Sequence, residues 1–281
     1  MRKNESPFWP QKSILNPPPP KEPYVPVRRV RMTLTRDEQR EIDRVAAKDY
    51  QVGVPILMEH AGLAVANACV MMAKALTTPI HIFAGKGMNG GDAYVCARIL
   101  KSWGYKVTIW DCFPGETHTA AVKANRAAAE AFEVTIRPAT EFDPQVWQAG
   151  ISRMIHETEP GMPCVIVDGI IGTGYEFQRP LPPNLTAITE KIEEGHVRGA
   201  RVIAIDIPTG VDCDTGEVDP GAVNADITLS FVLPKKGITM APGKYKAGQV
   251  KVPTIGLPIN FADMVLGPIP EVKDEEDSTE T

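Results

Sequence analysis

One stretch, Ile80–Trp103 (IHIFAGKGMNGGDAYVCARILKSW), sets the strongest limit on what this chain can become. Five apolar-rich residues lead into the glycine loop Gly85–Asp92, and a segment with helical apolar spacing follows. Strand, glycine loop and helix in that order make half of a βαβ unit, and such units build parallel sheets covered by helices. The loop contains the pattern GxGxxG. In this setting it lets a diphosphate approach the amides at a helix N-terminus. A nucleotide-like ligand is therefore the first expectation. Asp92, read as the start of the helix, would compete with a phosphate for those same amides, so the loop suits something other than a bare pyrophosphate. The alternative is a tight turn whose glycines serve packing alone. Asp111 ends the next expected strand, near where dinucleotide folds carry a ribose-binding acid.

The rest of the chain repeats the alternation. Thr35 and Glu38 form a capping-box pattern opening a helix that runs to about Lys48. A long apolar helix is expected over 56–76 after the break at Gly53 and Pro55. Further helices are expected over 92–103, 117–131, 144–157 and 183–194. Strands are expected over 80–84, 106–111, 164–171, 202–207, 226–231 and 250–255. Runs such as 164–168 (CVIVD) and 202–206 (VIAID) are apolar throughout rather than alternating, as in strands buried on both faces. The expected fold is a Rossmann-like three-layer α/β/α sandwich with a mostly parallel sheet. One domain over residues 31–270 is expected, between a proline-rich, poorly ordered arm (1–30) and an acidic disordered tail (271–281).

Open parallel sheets bind ligands at the carboxyl ends of their strands. Three motifs end there: Gly85–Asp92, then Asp168 followed by Gly172-Thr173-Gly174, then Asp206 followed by Pro208-Thr209-Gly210. They bring Asn89, Asp92, Asp168, Asp206 and Thr209 to one cleft. These are hard oxygen and amide groups, a set suited to an oxygen-liganded cation and a polar ligand rather than to zinc or copper. The five histidines read as packing, capping or surface residues. Five scattered cysteines form no CxxC, so a zinc site or disulfide framework is not expected. A net charge of −5 provides no footprint for nucleic acid. Neither a signal peptide nor a bilayer-spanning apolar run is expected.

Four motifs in order, residues 56–62 (ILMEHAG), Gly85–Asp92, Asp168 with Gly172–Gly174, and Ile205–Gly210, resemble the YjeF N-terminal family, the NAD(P)H-hydrate epimerases. Residues 225–237 are similar to its closing segment, and the resemblance covers about residues 32–258. It implies an isomerase that interconverts the R and S forms of hydrated NADH or NADPH, a nicotinamide nucleotide repair step. It further implies a cytoplasmic homodimer with one potassium ion per subunit, acting on a small molecule with no nucleic acid or membrane partner. A separate dehydratase for the S epimer is implied elsewhere. By motif, Met88, Asn89, Gly90, Gly91 and Asp92 would contact substrate, as would Gly172, Thr173, Gly174, Tyr175, Glu176, Phe177, Gln178 and Asp206. Asn89, Asp168 and Thr209 would ligate potassium. Met88 stands where the family usually has Asn, Ala93 where Gly usually follows the acid, and His60 where Asn usually sits.

The substrate so implied is a carbinolamine. Loss of its hydroxyl as water leaves an iminium, and water returning to the other face inverts the centre. Asp206 is the expected catalytic residue, donating the proton and then activating the returning water. An NAD-dependent oxidoreductase would instead need a proton-relay Tyr/Lys pair or His, and none is suitably placed. A non-catalytic nucleotide-binding module of the same fold is the other alternative.

Overall fold

The computed structural model describes residues 31–116, 118–145 and 164–267. Its strands are β1 (Ile80–Ala84), β2 (Val107–Asp111), β3 (Thr135–Pro138), β4 (Val165–Gly169), β5 (Arg201–Ile205), β6 (Ile227–Leu229) and β7 (Gln249–Lys251). They form one sheet in the order β3-β2-β1-β4-β5-β6-β7, with every neighbouring pair parallel. The helices are α1 (Arg36–Asp49), α2 (Val54–Met72), α3 (Met88–Ser102), α4 (Ala120–Ala131), α5 (Pro183–Val197), α6 (Gly243–Ala247) and α7 (Phe261–Leu266). Strand order reverses between β1 and β4, and that switch point opens a crevice at the carboxyl ends of the strands.

Strand periodicity explains the three layers. Ile80, Ile82 and Ala84 of β1, with Val165 and Val167 of β4 and Ile203 and Ile205 of β5, face a core shared with α1 to α4 and α7. Phe83, Ile166, Val202 and Ala204 alternate with them and face a second core, against Leu185, Ile188 and Ile192 of α5. Because both faces are buried, the central strands read as unbroken apolar runs. The edge strand β3 was not anticipated: it is short, half exposed and ends in proline, so it lacks that signature.

Several boundaries differ from expectation. The capping box at Thr35 and Glu38 forms as expected, with Thr35 N–H donating to Glu38 Oε2 at 2.8 Å. β5 ends before Asp206, whose backbone takes the left-handed φ of +64° and turns the chain off the sheet. Helix α3 begins at Met88 rather than at Asp92, which therefore lies in the second turn. Low helix propensity makes Gly90 and Gly91 read as loop. Close packing is what requires them: a Cβ on Gly90 would lie 1.9 Å from Gly85 O, and one on Gly91 would lie 2.4 Å from Met58 Sδ. The expected arm, the tail and nearly all of the helix expected over 144–157 lie outside the described residues.

Helix α2 is long and apolar enough to cross a membrane, contrary to the expectation from apolar run lengths. Here one face of it packs into the core, while Ile56, Leu63 and Met71 are exposed. Leu57, Met58, Ala61, Val65 and Cys69 are buried, and Gly62 lets α3 approach so closely that an added Cβ would lie 2.4 Å from Val95 Cγ1.

Gly90→Ala should cost about 1–3 kcal/mol, because the clash is with backbone that cannot rotate away. Gly87→Ala should stay within about 0.5 kcal/mol, since no atom lies within 4 Å of the added Cβ. Urea unfolding midpoints for the two variants test the contrast.

Candidate active site at the switch point

Asp168, the fourth residue of β4, has no solvent exposure. A buried carboxylate needs partners, and the loop after β5 supplies most of them. Thr209 Oγ1 donates to Asp168 Oδ1 at 2.6 Å and Thr209 N–H donates to Oδ2 at 2.7 Å, while Ile170 N–H reaches Oδ1 at 3.2 Å. Ile171 N–H in turn donates to Thr209 Oγ1 at 3.1 Å. The loops after β4 and β5 are thus clasped together through one carboxylate. Burial still pushes the Asp168 carboxyl up to about 6, against the lowering effect of these hydrogen bonds.

Asn89, in the first turn of α3, closes the third side. Its Nδ2 donates to Ile205 O at 2.7 Å, and Gly172 packs so closely that a Cβ there would lie 2.4 Å from Asn89 Oδ1. Asn89, Asp168 and Thr209 therefore gather at the ends of three neighbouring segments. Their donors are an amide oxygen, a carboxylate and a hydroxyl, with the Ile171 and Ile205 carbonyls close by. That set fits a hard monovalent cation, and a cation there would hold Asp168 ionised. No group of three or more His, Cys, Asp or Glu that could hold a metal ion occurs among the described residues.

Beside this clasp is a cavity of about 120 Å³, several times what one water needs. Its apolar wall includes Leu57, Met58, Ala61, Phe231 and Ile255, and Met88 and Thr173 also line it. Its polar wall is Gln39, Asp43, Asn89, Asp92, Asp206 and Lys235. Asp206 accepts from Lys235 Nζ at 2.6 Å, and at 3.3 Å from both Ser230 Oγ and Phe231 N–H. The Lys235 side chain is wholly buried, with Nζ also donating to Phe231 O at 2.9 Å. Asp92 makes no side-chain hydrogen bond among the described residues. Burial, reinforced by the charges of Asp206 and Asp43, pushes its carboxyl well above the usual range. Asp43 accepts from Gln39 Nε2 at 2.9 Å, and burial pushes it up to about 6.

The expected site residues divide accordingly. Met88, Asn89, Asp92, Thr173 and Asp206 line the cavity, Asp168 and Thr209 lie in the clasp beside it, and Gly90 and Gly91 serve helix packing. Within the loop after β4, Gly172 abuts Asn89 and Gly174 is exposed. Tyr175 turns inward, its hydroxyl donating to Asp219 Oδ2 at 3.0 Å. Glu176 pairs with Arg36, Phe177 N–H donates to Asp212 Oδ2, and Gln178 is exposed. Asp111 does not line the cavity, contrary to the ribose-binding expectation: its carboxylate is taken by Phe113 N–H and the Arg126 guanidinium. Among the described histidines, none lines the cavity. All five cysteines are free and buried.

Gln39, Asp43 and Lys235 escaped the sequence reading. The first two lie on α1, four residues apart on one helix face, which would have pointed to a shared surface but not to this one.

A parallel sheet with a polar, acid-lined cleft at its switch point defines a Rossmann-like small-molecule binding protein. The family model for the YjeF-related protein N-terminus matches residues 54–237. The chain belongs to that family. A bifunctional NAD(P)H-hydrate repair enzyme Nnr of Thermofilum pendens is 35% identical over 223 residues, covering 79% of this chain and 39% of that protein. An NAD(P)H-hydrate epimerase of Rhodopirellula baltica is 32% identical, covering 81% of this chain and 86% of that protein. The crystal structure of yeast ynu0 superposes with a TM-score of 0.63 at 22% identity, over 86% of this chain and 97% of that one, a likeness of fold. The chain spans less than half the length of the bifunctional relatives, 39% for the first and 36% for one from Hyperthermus butylicus.

Lys235→Met should destabilise by about 3 kcal/mol, since it leaves the Asp206 carboxylate poorly compensated in a low-dielectric pocket. Adding Asp206→Asn should recover more than half of that loss. Chemical denaturation of the single and double variants measures the coupling.

Proposed function

We propose that this protein is an NAD(P)H-hydrate epimerase. The observation that carries the reading is the cavity beside the Asp168 clasp, which sets the Asp206 carboxylate against an apolar wall. Its family relatives carry that activity in their names. The hydrated nicotinamide ring would enter this cavity, against Met88, Asn89, Asp92 and Thr173, with the rest of the loop 172–178 around the remainder of the nucleotide. Asp206 exchanges a proton with the oxygen on the ring carbon beside nitrogen. As the C–O bond breaks, water departs and the ring becomes an iminium; as water returns to the opposite face, the configuration inverts. The carboxylates of the pocket stabilise the transient positive charge. The apolar wall limits competing water.

Asn89, Asp168 and Thr209 would hold potassium, which supplies a fixed positive charge that keeps the two clasped loops in register. Residues 31–270 form the catalytic unit in this reading, a homodimer in the cytoplasm, with the S epimer passed to a separate dehydratase.

Two measurements test the reading. Interconversion of separated R and S epimers, followed chromatographically, should accelerate with the protein, and Asp206→Asn should lower the rate by roughly 10²–10⁴-fold while nucleotide binding weakens far less. An unaccelerated interconversion in the parental protein would remove the epimerase assignment. Asp168→Ala should abolish the potassium-dependent rise in melting temperature expected of the parental protein; a rise of the same size in the variant would place the ion elsewhere.

A further inference from the structure

Inversion imposes a geometric demand that one carboxyl does not meet. The oxygen that leaves and the oxygen that arrives occupy opposite faces of a planar iminium, and a carboxyl fixed by a buried ion pair serves one of them. Asp206 is fixed in that way by Lys235. A second acid–base group is needed from a different element of the cavity wall.

Helix α1 supplies one. Gln39 is 8% exposed and lines the cavity; its Nε2 orients Asp43 at 2.9 Å, while its Oε1 is buried with no hydrogen-bond partner among the described residues. An unpartnered buried acceptor in a cavity wall costs free energy unless a ligand donor meets it. Base oriented by a neighbour, with a free acceptor beside it, is the arrangement that acid–base sites use. Both residues precede the segment matched by the family model, which begins at residue 54. Resting on the epimerase reading, we propose that Asp43 is the second acid–base residue of the reaction and that Gln39 both orients it and accepts a hydrogen bond from an N–H or O–H donor of the hydrated ring.

The step balances. The Asp43 carboxyl gives its proton to the hydroxyl oxygen, the C–O bond breaks with its electron pair leaving in water, and the ring nitrogen lone pair forms the iminium. Water then adds to the other face, forming the new C–O bond as its proton passes to the Asp206 carboxylate. The reverse direction runs the same path backwards, so the active enzyme holds one proton between Asp43 and Asp206. Substrate and product differ by no proton, and both directions share one pH profile.

The groups around Asp43 support that state. Asp206 after β5 faces it with like charge and Lys235 after β6 with opposite charge, while Asp92 of α3 is a neighbouring acid whose own carboxyl burial pushes well above the usual range. On its own helix Arg40 and Arg44 pair with Asp37 and Glu41 at the surface, and α7, packed on α1, carries Asp263. Burial keeps the proton on Asp43 up to about pH 6, so the rate should fall as pH rises through that region and Asp43 gives up its proton.

The test uses the full chain and separated epimers of hydrated NADPH. Asp43→Asn should lower kcat at least 100-fold with KM within a few-fold, and should remove the alkaline limb near pH 6. Asp43→Glu should restore part of kcat and shift that limb, which also serves if the Asn variant does not fold. Gln39→Leu should raise KM, and Arg40→Ala, exposed on the same helix, should match the parent. A parental kcat and pH profile in Asp43→Asn, with an active parent, overturns this proposal and leaves the epimerase reading standing. Loss of the limb in Asp92→Asn but not in Asp43→Asn overturns it equally.

Discussion

The Asp168 carboxylate is the interaction on which the cleft depends. It is fully buried, and two of its three hydrogen bonds come from the loop after β5 rather than from its own strand. A charge in that position without partners would cost several kcal/mol, so the two loops are held together by the penalty for separating them. Once they are held, Thr173 and Asp206 have fixed places on the cavity wall. Asn89 then completes the arrangement from α3, donating to Ile205 O at the very end of β5. Sheet, helix and two loops are thus tied at one point, where the strand order reverses.

The cavity beside that point is unbalanced in charge. Three carboxyl groups, Asp43, Asp92 and Asp206, converge with a single lysine. They cannot all be ionised in so little water, and burial raises Asp43 and Asp92 while Lys235 is bonded to Asp206. Groups held in different protonation states by one another are what proton-transfer sites require. The same crowding favours a ligand that becomes cationic during reaction. Structural rigidity and chemical readiness come from the same unfavourable burial.

The sequence disclosed the parts whose signal is local. Unbroken apolar runs at 164–168 and 202–206 gave away doubly buried strands, and Asp168 and Asp206 were legible because each ends such a run. Edge strand β3 was not legible, because Thr135–Pro138 buries too little to leave an apolar pattern. The start of α3 was misplaced because glycine signals loop, whereas Gly90 and Gly91 are there for the approach of Gly85 and Met58. Asp111 looked like a ligand-binding acid by position in the chain, yet its neighbour Arg126, fifteen residues on, claims it. Gln39, Asp43 and Lys235 reach the cavity only through tertiary packing. No spacing within the chain could announce that α1 and the segment after β6 meet at the strand ends.

The left-handed backbone of Asp206 has a consequence for how its chemistry can be dissected. At φ +64° only glycine is free of steric cost, and Asp and Asn tolerate the conformation better than other side chains. Alanine scanning at this position would therefore mix two quantities, the absent carboxylate and a main chain pressed to leave its conformation. Any displacement would pass to the Thr209 clasp three residues on. Asparagine separates the two, retaining the backbone while withdrawing the ionisable group. Residue 206 is thus a place where the least informative replacement is the customary one.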